Sequence, residues 1–123
     1  MAREMDIFVN TEESLEEFTN VLESLVGISA QRCSTNDEIW YELQDERTSL
    51  SVGTHEYINN QGMNFEAYRY DIEVREINIR EAEERVQWLH DTAFMIFNRL
   101  KDTRRYPLLL ADDLQKKVEE YQP

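Results

Sequence analysis

The sequence predicts one α+β domain over residues 1–123, in which two main helices pack on one face of a mainly antiparallel sheet of four to six strands, giving two layers. Apolar and polar residues alternate near residues 39–44 and 68–75, a pattern typical of half-buried strands. Elsewhere apolar residues recur every three or four positions, as on one face of an amphipathic helix. The hydrophobic share of 41% is enough apolar material for one core.

The N-terminal part of the chain predicts a strand followed by a helix. The short apolar run 6–9 indicates the strand. Ser14 and Glu17 have the spacing of a capping box, although Thr11 offers a competing cap one turn earlier. Gly27 supplies a natural stop for the helix. The predicted apolar face of this helix consists of Leu15, Phe18, Leu22 and Leu25.

The middle of the chain predicts a strand-rich region. The polar residues 45–47 indicate a turn that joins two alternating segments into an antiparallel hairpin. A longer polar stretch, 55–64, is predicted as a loop. The strands of this region are expected at 28–33, 39–44, 49–53 and 68–75.

A long amphipathic helix is predicted over residues 79–104. The apolar run 106–110 indicates a further strand or a buried tail. Asp112 is expected to cap a last short helix over 114–121, because apolar residues there recur at three and four positions. The predicted apolar face of the long helix consists of Ala82, Val86, Leu89, Ala93, Phe97 and Leu100.

Strand alternation gives the two sides of the predicted sheet different roles. The helices are expected to cover the side that carries Tyr41, Leu43, Leu50, Val52, Tyr70 and Ile72. The opposite side is expected to face solvent or a partner, and it carries Trp40, Glu42, Gln44, Ser49, Ser51, Arg69, Asp71 and Glu73.

Acidic residues dominate the charge of the chain. There are 26 Asp and Glu residues against 13 Lys and Arg, which gives a net charge of −13 at pH 7. Residues 1–67 account for −11 of this charge and residues 68–123 for only −2. Such a deficit disfavours a basic footprint for nucleic acid. It fits either solubility alone or a negative surface that attracts a basic protein partner.

The composition also predicts where the protein works. No apolar run reaches the length of a membrane span, so no membrane partner is expected. Residues 1–10 lack a basic segment followed by an apolar one, so no secretory signal is expected. The single cysteine, Cys33, has no partner for an internal disulfide, which favours a reducing, cytoplasmic compartment.

Catalytic motifs are scarce, and the sequence predicts a protein that is not an enzyme and uses no metal or cofactor. It has no Gly-rich phosphate loop, zinc-protease helix signature or Ser flanked by glycines. His55 precedes a loop and His90 lies within the long helix, so neither indicates a metal or catalytic site. Cys33 has only Arg32 nearby to activate it and fits a small buried hydrophobe better than a nucleophile.

Binding of a protein partner has more support in the sequence than catalysis. An outward Trp40 beside Glu42 combines an aromatic anchor with negative charge, and Tyr57 adds a second ring. Several acids cluster around the predicted hairpin, where they could meet Lys and Arg of a partner. The competing interpretations are that a loop or the C-terminal tail covers Trp40, or that a shift of strand register buries it instead of Tyr41. The predicted partner-binding residues are Asp37, Glu38, Trp40, Glu42, Asp45, Glu46, Tyr57, Asp71 and Glu73.

The order of three segments along the chain is similar to that of a known class of proteins. The segments are the strand 5–10 before a Glu-rich helix, the stretch 64–74 before a long helix, and the tail 108–114. Together they resemble the small acidic immunity proteins of bacterial polymorphic-toxin and contact-dependent growth inhibition systems. The resemblance implies a protein that binds a cognate toxin domain, often a basic nuclease, and blocks its active site or a nearby surface. No fixed functional residue of these families can be placed on this sequence.

Two other functions stay open at this point. One is an acidic adaptor or regulatory module that self-associates through a sheet edge or the long helix, for example as a homodimer. The other is a small metal-independent enzyme that uses a Glu or Asp as general base. An inhibitor predicts a one-to-one complex whose association slows with salt, whereas a homomer predicts a salt-tolerant apolar interface.

Overall fold

The computed structural model describes residues 4–123 and contains two helices on one side of a single antiparallel sheet. This arrangement confirms the predicted α+β fold. The sheet has seven strands, one more than the upper end of the expected range. Residues 1–3 lie outside the described residues. They belong to the segment 1–10, in which the sequence predicts no secretory signal.

The strands are short and distributed along the whole chain: β1 Met5–Val9, β2 Ala30–Ser34, β3 Ile39–Gln44, β4 Thr48–Thr54, β5 Tyr70–Glu76, β6 Leu108–Asp112 and β7 Lys116–Tyr121. The helices are α1, Leu15–Val26, and α2, Ala82–Asp102, with a 3₁₀ turn at Phe65–Ala67. The order across the sheet is β2-β3-β4-β5-β1-β6-β7. The first strand therefore lies inside the sheet, paired with β5 and β6.

The first helix begins and ends where the capping signals predict. Ser14 Oγ accepts a hydrogen bond from the Glu17 N–H at 3.1 Å, and Glu17 Oε1 accepts one from the Ser14 N–H at 3.3 Å. Gly27 ends the helix with φ 73°, a left-handed conformation that glycine adopts without steric penalty. Thr11 instead accepts from the Glu13 N–H in the preceding turn. The capping box at Ser14 thus fixes the start of α1.

The second helix is shorter than predicted, and its first turns are not buried. Ala82 is exposed and so is Val86, at 37%, so their assignment to the buried face is wrong. Trp88 makes the contact with the sheet at this end of the helix instead, because its Nε1 donates to Thr48 Oγ1 at 3.3 Å. The remaining residues of the predicted face are confirmed as buried, namely Leu89, Ala93, Phe97 and Leu100.

The main core lies between the helices and the sheet. Strand alternation turns the predicted apolar side toward α1 and α2, although Tyr41 on that side is only partly buried. The Phe18 ring of α1 stacks on the Tyr70 ring at a centroid distance of 5.9 Å and meets the Tyr106 ring edge-on at 5.3 Å. The strand residues buried in this core include Leu43, Leu50, Val52, Tyr70 and Ile72.

Part of the opposite side of the sheet is also buried, which the sequence analysis does not predict. Phe8 points away from the helices, and its ring centroid lies 4.7 Å from that of Phe65 in the 3₁₀ turn. Tyr68 belongs to the same cluster, since β5 begins only at Tyr70 and not at the predicted residue 68. The buried members of this second cluster are Phe8, Met63, Phe65, Tyr68, Leu109 and Ala111.

The C-terminal segment is a β-hairpin, and the predicted last short helix is wrong. Asp113 and Leu114 have positive φ angles of 53° and 59°, and the Gln115 N–H donates to the Asp112 carbonyl at 3.0 Å. This is the geometry of a type I′ turn, which matches the twist of antiparallel strands. The spacing of Leu114 and Val118 resembles a helical period, but pairing with β6 supplies the hydrogen bonds of this segment.

Candidate functional site

A cleft opens over β3, β4 and β5 on the side of the sheet that faces away from the helices. Its floor is formed by Ser51 and Gly53 of β4. The small side chain of Ser51 and the absence of one at Gly53 leave space between the larger residues of the flanking strands. The cleft has a volume of about 200 Å³, and none of its lining residues is basic. This acidic cleft is lined by Glu38, Trp40, Ser51, Gly53, Thr54, Asp71 and Glu73.

The acidic cleft continues into a second depression of about 460 Å³ beside the loop that follows β4. His55 orders this loop: its Nδ1 accepts from the Tyr57 N–H at 3.1 Å, and its Nε2 lies 2.7 Å from the Tyr68 carbonyl oxygen. These two contacts assign the ring proton to Nε2 and occupy both nitrogens. The ring also packs edge-on against Phe8 at 5.0 Å between centroids. His55 therefore has a structural role.

Trp40 lies at the edge of the acidic cleft in the predicted register. It is half-buried, and its Nε1 donates to Glu42 Oε1 at 3.2 Å on the same strand. The indole is thus held by a hydrogen bond while part of its ring stays accessible. An aromatic side chain with little freedom to lose is well suited to anchor a partner.

Two aspartates of neighbouring strands are buried next to the acidic cleft. Asp6 of β1 is 0% exposed and Asp71 of β5 is 4% exposed, and both point away from the helices. Burial, followed by the charge of Asp71, raises the pKa of Asp6 far above its ordinary value of 3.8. Burial likewise raises the pKa of Asp71, to about 7. The pair therefore retains a proton near neutral pH.

Further carboxylates extend the negative charge at one end of this pair. Glu4, Asp6 and Glu73 each place one carboxylate oxygen within 4.8 Å of the other two, an arrangement that could hold a metal ion. Arg75 compensates part of this charge, with its Nη2 3.0 Å from Glu73 Oε2 and 3.6 Å from Glu4 Oε2. The Arg75 side chain is 52% exposed, so these ion pairs are screened by water.

The structure brings most of the predicted partner-binding residues together. Glu38, Trp40, Asp71 and Glu73 line the acidic cleft, and Asp37 and Tyr57 line its extension. Glu42 adjoins the cleft through its hydrogen bond to Trp40. Burial, followed by the charge of Asp71, raises the pKa of Tyr57 to about 12, so its phenol stays neutral and can donate a hydrogen bond.

Asp45 and Glu46 lie away from the acidic cleft. They occupy the turn after β3, whereas Asp37 and Glu38 precede β3, roughly 23 Å away along an extended strand. Asp45 Oδ1 accepts hydrogen bonds from the N–H groups of Arg47 at 2.9 Å and Thr48 at 2.8 Å. The expected cluster of acids around one hairpin is therefore divided between its two ends, and Asp45 serves the turn.

Arg69 also differs from its predicted position on the open side of the sheet. It precedes β5, and its Nη1 donates to the carbonyl oxygens of Glu12 and Glu13 at 3.3 and 3.2 Å, next to the start of α1. Its guanidinium lies over the Tyr70 ring, 5.0 Å from the centroid. Arg69 thus ties α1 to the sheet and adds no positive charge to the acidic cleft lining.

Sequence reasoning missed Glu4 and Asp6. Asp6 belongs to a segment predicted as an apolar strand. A charged residue inside the five-residue run Met5–Val9 is itself a signal, because a buried charge is costly without a partner. Strand alternation places Asp6 and Phe8 on the same side of β1. That placement could have identified a buried carboxylate on the open side of the sheet.

Cys33 and His90 lie outside the acidic cleft. Cys33 is opposite Trp40 in the β2–β3 pair, and partial desolvation followed by the charge of Glu42 raises the pKa of its thiol. A raised thiol pKa disfavours the nucleophilic thiolate. His90 belongs to α2 on the other side of the sheet, where its Nε2 lies 3.6 Å from Asp112 Oδ2.

Within residues 4–123, no helix is long and apolar enough to cross a membrane. Comparison with known proteins identifies no relative: no protein-family model, no curated protein and no solved structure matches the chain. The acidic cleft is therefore the feature of the molecule from which a function can be proposed.

Proposed function

We propose that this protein is a stoichiometric inhibitor, namely a toxin-neutralising immunity protein that binds a basic, nuclease-like toxin domain in the cytoplasm. One observation supports the proposal most: Glu38, Asp71 and Glu73 line a concave surface beside a half-buried tryptophan, with no basic residue in the lining. The resemblance in chain organisation to small acidic immunity proteins supplies the class of partner.

The chemistry of the acidic cleft suits a partner whose active site binds phosphate. Such a site presents Lys and Arg side chains, and carboxylates can pair with the same groups in place of phosphate oxygens. The small residues Ser51 and Gly53 leave room for a long basic side chain to approach Asp71 and Glu73. The net charge of −13 attracts a basic partner over a distance and raises the association rate at low salt.

The edges of the sheet favour binding through the open face over self-association through strand pairing. The edge strands are β2 and β7, and β7 carries four charged residues. Charged side chains on an edge strand oppose pairing with a second sheet. Arg32 has the same effect in the middle of β2. The charges of β7 are Lys116, Lys117, Glu119 and Glu120.

The decisive experiment measures inhibition by the acidic cleft. Full-length tagged protein captures its partner from lysate of the source cells at low salt, and the purified partner is assayed for nuclease activity against increasing amounts of inhibitor. We expect activity to reach zero at one equivalent. The variant Glu38→Gln/Glu73→Gln should associate at least tenfold more slowly, since it removes two lining charges while preserving side-chain shape.

The matched control is Glu12→Gln/Glu16→Gln, which removes two exposed acids at the start of α1. We expect this control to inhibit like the wild type at the same ionic strength. The proposal fails if the captured partner keeps its activity when saturated. It also fails if the two double variants slow association equally, because the effect of charge would then not depend on the acidic cleft.

A further inference from the structure

The cluster of Glu4, Asp6 and Glu73 is built by strand pairing. Asp6 lies directly opposite Glu73 in the β1–β5 pair, and Glu4 is two residues before Asp6 on the same side of the sheet. One carboxylate oxygen from each residue lies within 4.8 Å of the other two. Asp71, two residues before Glu73, faces the same side and couples electrostatically to Asp6. Four carboxylates thus converge, three from β1 and β5 and one from the residue directly before β1.

Asp6 distinguishes this cluster from an ordinary acidic surface. Its side chain is 0% exposed, and neither carboxylate oxygen accepts a hydrogen bond from an N–H or hydroxyl group of the described residues. Its hydrogen-bonding neighbour is the carboxyl group of Asp71, whose Oδ1 is likewise buried without such a donor. A buried carboxylate with no donor requires either a proton or a cation to offset its loss of hydration. The proton retained by the Asp6–Asp71 pair meets part of this requirement, and a cation from outside the chain would meet it for the whole cluster.

We propose that Glu4, Asp6 and Glu73, with Asp71 beside them, form a binding site for a hard divalent cation of the Ca²⁺ or Mg²⁺ type. All of the available donors are carboxylate oxygens, the ligands that these ions prefer over nitrogen or sulfur. Ca²⁺ binds oxygen at about 2.3–2.6 Å, so one ion can contact oxygens that all lie within 4.8 Å of one another. Mg²⁺ binds oxygen at about 2.0–2.1 Å and demands a more nearly ideal octahedral arrangement of its ligands.

Arg75 competes with this cation for the carboxylates of Glu4 and Glu73. Its guanidinium pairs with Glu73 and Glu4 at 3.0 and 3.6 Å but makes no hydrogen bond to Asp6. Because its side chain is 52% exposed, it can turn into solvent when a divalent ion neutralises the two glutamates. Removal of Arg75 should therefore strengthen cation binding, the opposite of the effect expected if Arg75 merely organised the cluster.

The cation site goes beyond the proposed inhibitor function and is tested without a protein partner. Full-length protein, freed of metal with a chelator, is titrated calorimetrically with CaCl₂ and separately with MgCl₂. We expect one saturable site per chain. Asp6→Asn and Glu73→Gln should each weaken binding at least tenfold, and Arg75→Gln should strengthen it severalfold.

The matched control for charge is Glu42→Gln, which removes an open-face carboxylate outside the cluster and should leave the affinity unchanged. Circular dichroism of each variant establishes that it is folded, and a rise in Tm with CaCl₂ in wild type but not in Asp6→Asn gives a second measure. The proposal is overturned if folded wild type shows no saturable binding of either ion. Equal weakening by Glu42→Gln and Asp6→Asn would also overturn it, since binding would then be diffuse attraction.

Discussion

Trp40 and Gly53 lie against each other on neighbouring strands, so closely that a β-carbon added to Gly53 would be 3.3 Å from the Cβ of Trp40. Few side chains tolerate so short a contact with a neighbouring strand. The missing side chain at residue 53 therefore leaves the floor of the acidic cleft open and lets Trp40 lie close to β4.

The first prediction concerns this pair. Gly53→Ala should displace Trp40 and change its fluorescence emission, because both Cβ atoms are fixed close to the backbone. A Trp88→Phe background isolates the signal of Trp40. Ser51→Ala, which adds no atom to the floor, should leave the emission as it is. Identical spectra for Gly53→Ala and its parent would show that the ring position does not depend on residue 53.

The second prediction concerns the dependence of stability on pH. Folding raises the pKa of Asp6 and Asp71 above the ordinary value of 3.8, to about 7 for Asp71, so the folded state binds more protons than the unfolded state above about pH 4. The free energy of unfolding should therefore fall as pH rises through this window, by at most about 1.4 kcal/mol per pH unit for each proton. Asp6→Asn, which stays neutral, should flatten the dependence.

Urea unfolding of wild type and Asp6→Asn between pH 5 and 9 gives the free energy of unfolding of each protein as a function of pH. The difference between the two curves measures this effect. The charged groups around Asp6 are Glu4, directly before β1, and Asp71, Glu73 and Arg75 on β5, and they are common to both proteins. The variant should gain stability over wild type as pH rises. Parallel curves would contradict the assignment of a retained proton to the Asp6–Asp71 pair.

The third prediction separates the buried and exposed parts of α2. Phe97→Ala should lower the free energy of unfolding by about 3–5 kcal/mol, since Phe97 is 0% exposed and its loss leaves a cavity. Val86→Ala should cost no more than about 0.5 kcal/mol, because Val86 is exposed. Chemical unfolding of both variants tests the assignment, and equal losses would place the buried face of α2 elsewhere.

The fourth prediction concerns the turn between β3 and β4. Asp45→Ala should cost about 1–2 kcal/mol, since it leaves the N–H groups of Arg47 and Thr48 without their acceptor. Glu46→Ala is the neighbouring control and should be nearly neutral, because its side chain is exposed. Thermal melting compares the two. If Asp45→Ala weakened partner binding without lowering stability, Asp45 would belong to the binding surface and not to the turn alone.

The sequence predicts the fold well where local signals and tertiary structure agree. Ser14, Glu17 and Gly27 define α1, and alternation assigns Trp40 and Glu42 to the open side of β3. These features depend on neighbours in the sequence, so they can be read from a single chain.

Long-range contacts explain what the sequence does not predict. Residues 116–121 form a strand because β6 offers them an unpaired edge, not because of their own spacing. Asp6 and Glu73 become a cluster only when β1 pairs with β5, and 66 positions separate them in the chain. The division of Asp45 from Glu38 likewise follows from the length of β3 between its two turns.

The position of β1 inside the sheet has a consequence for synthesis on the ribosome. Both strands that pair with β1, first β5 and then β6, are translated long after it, and all five of its residues are buried in the finished sheet. The nascent chain must therefore carry an unpaired apolar strand until residues 70–76 leave the exit tunnel. Such a segment is a target for chaperones, and contacts so distant in the chain are formed slowly. A translational pause after β1 has left the exit tunnel but before residues 70–76 have left it would prolong this exposure, whereas a pause after they have left would allow β5 to pair with β1.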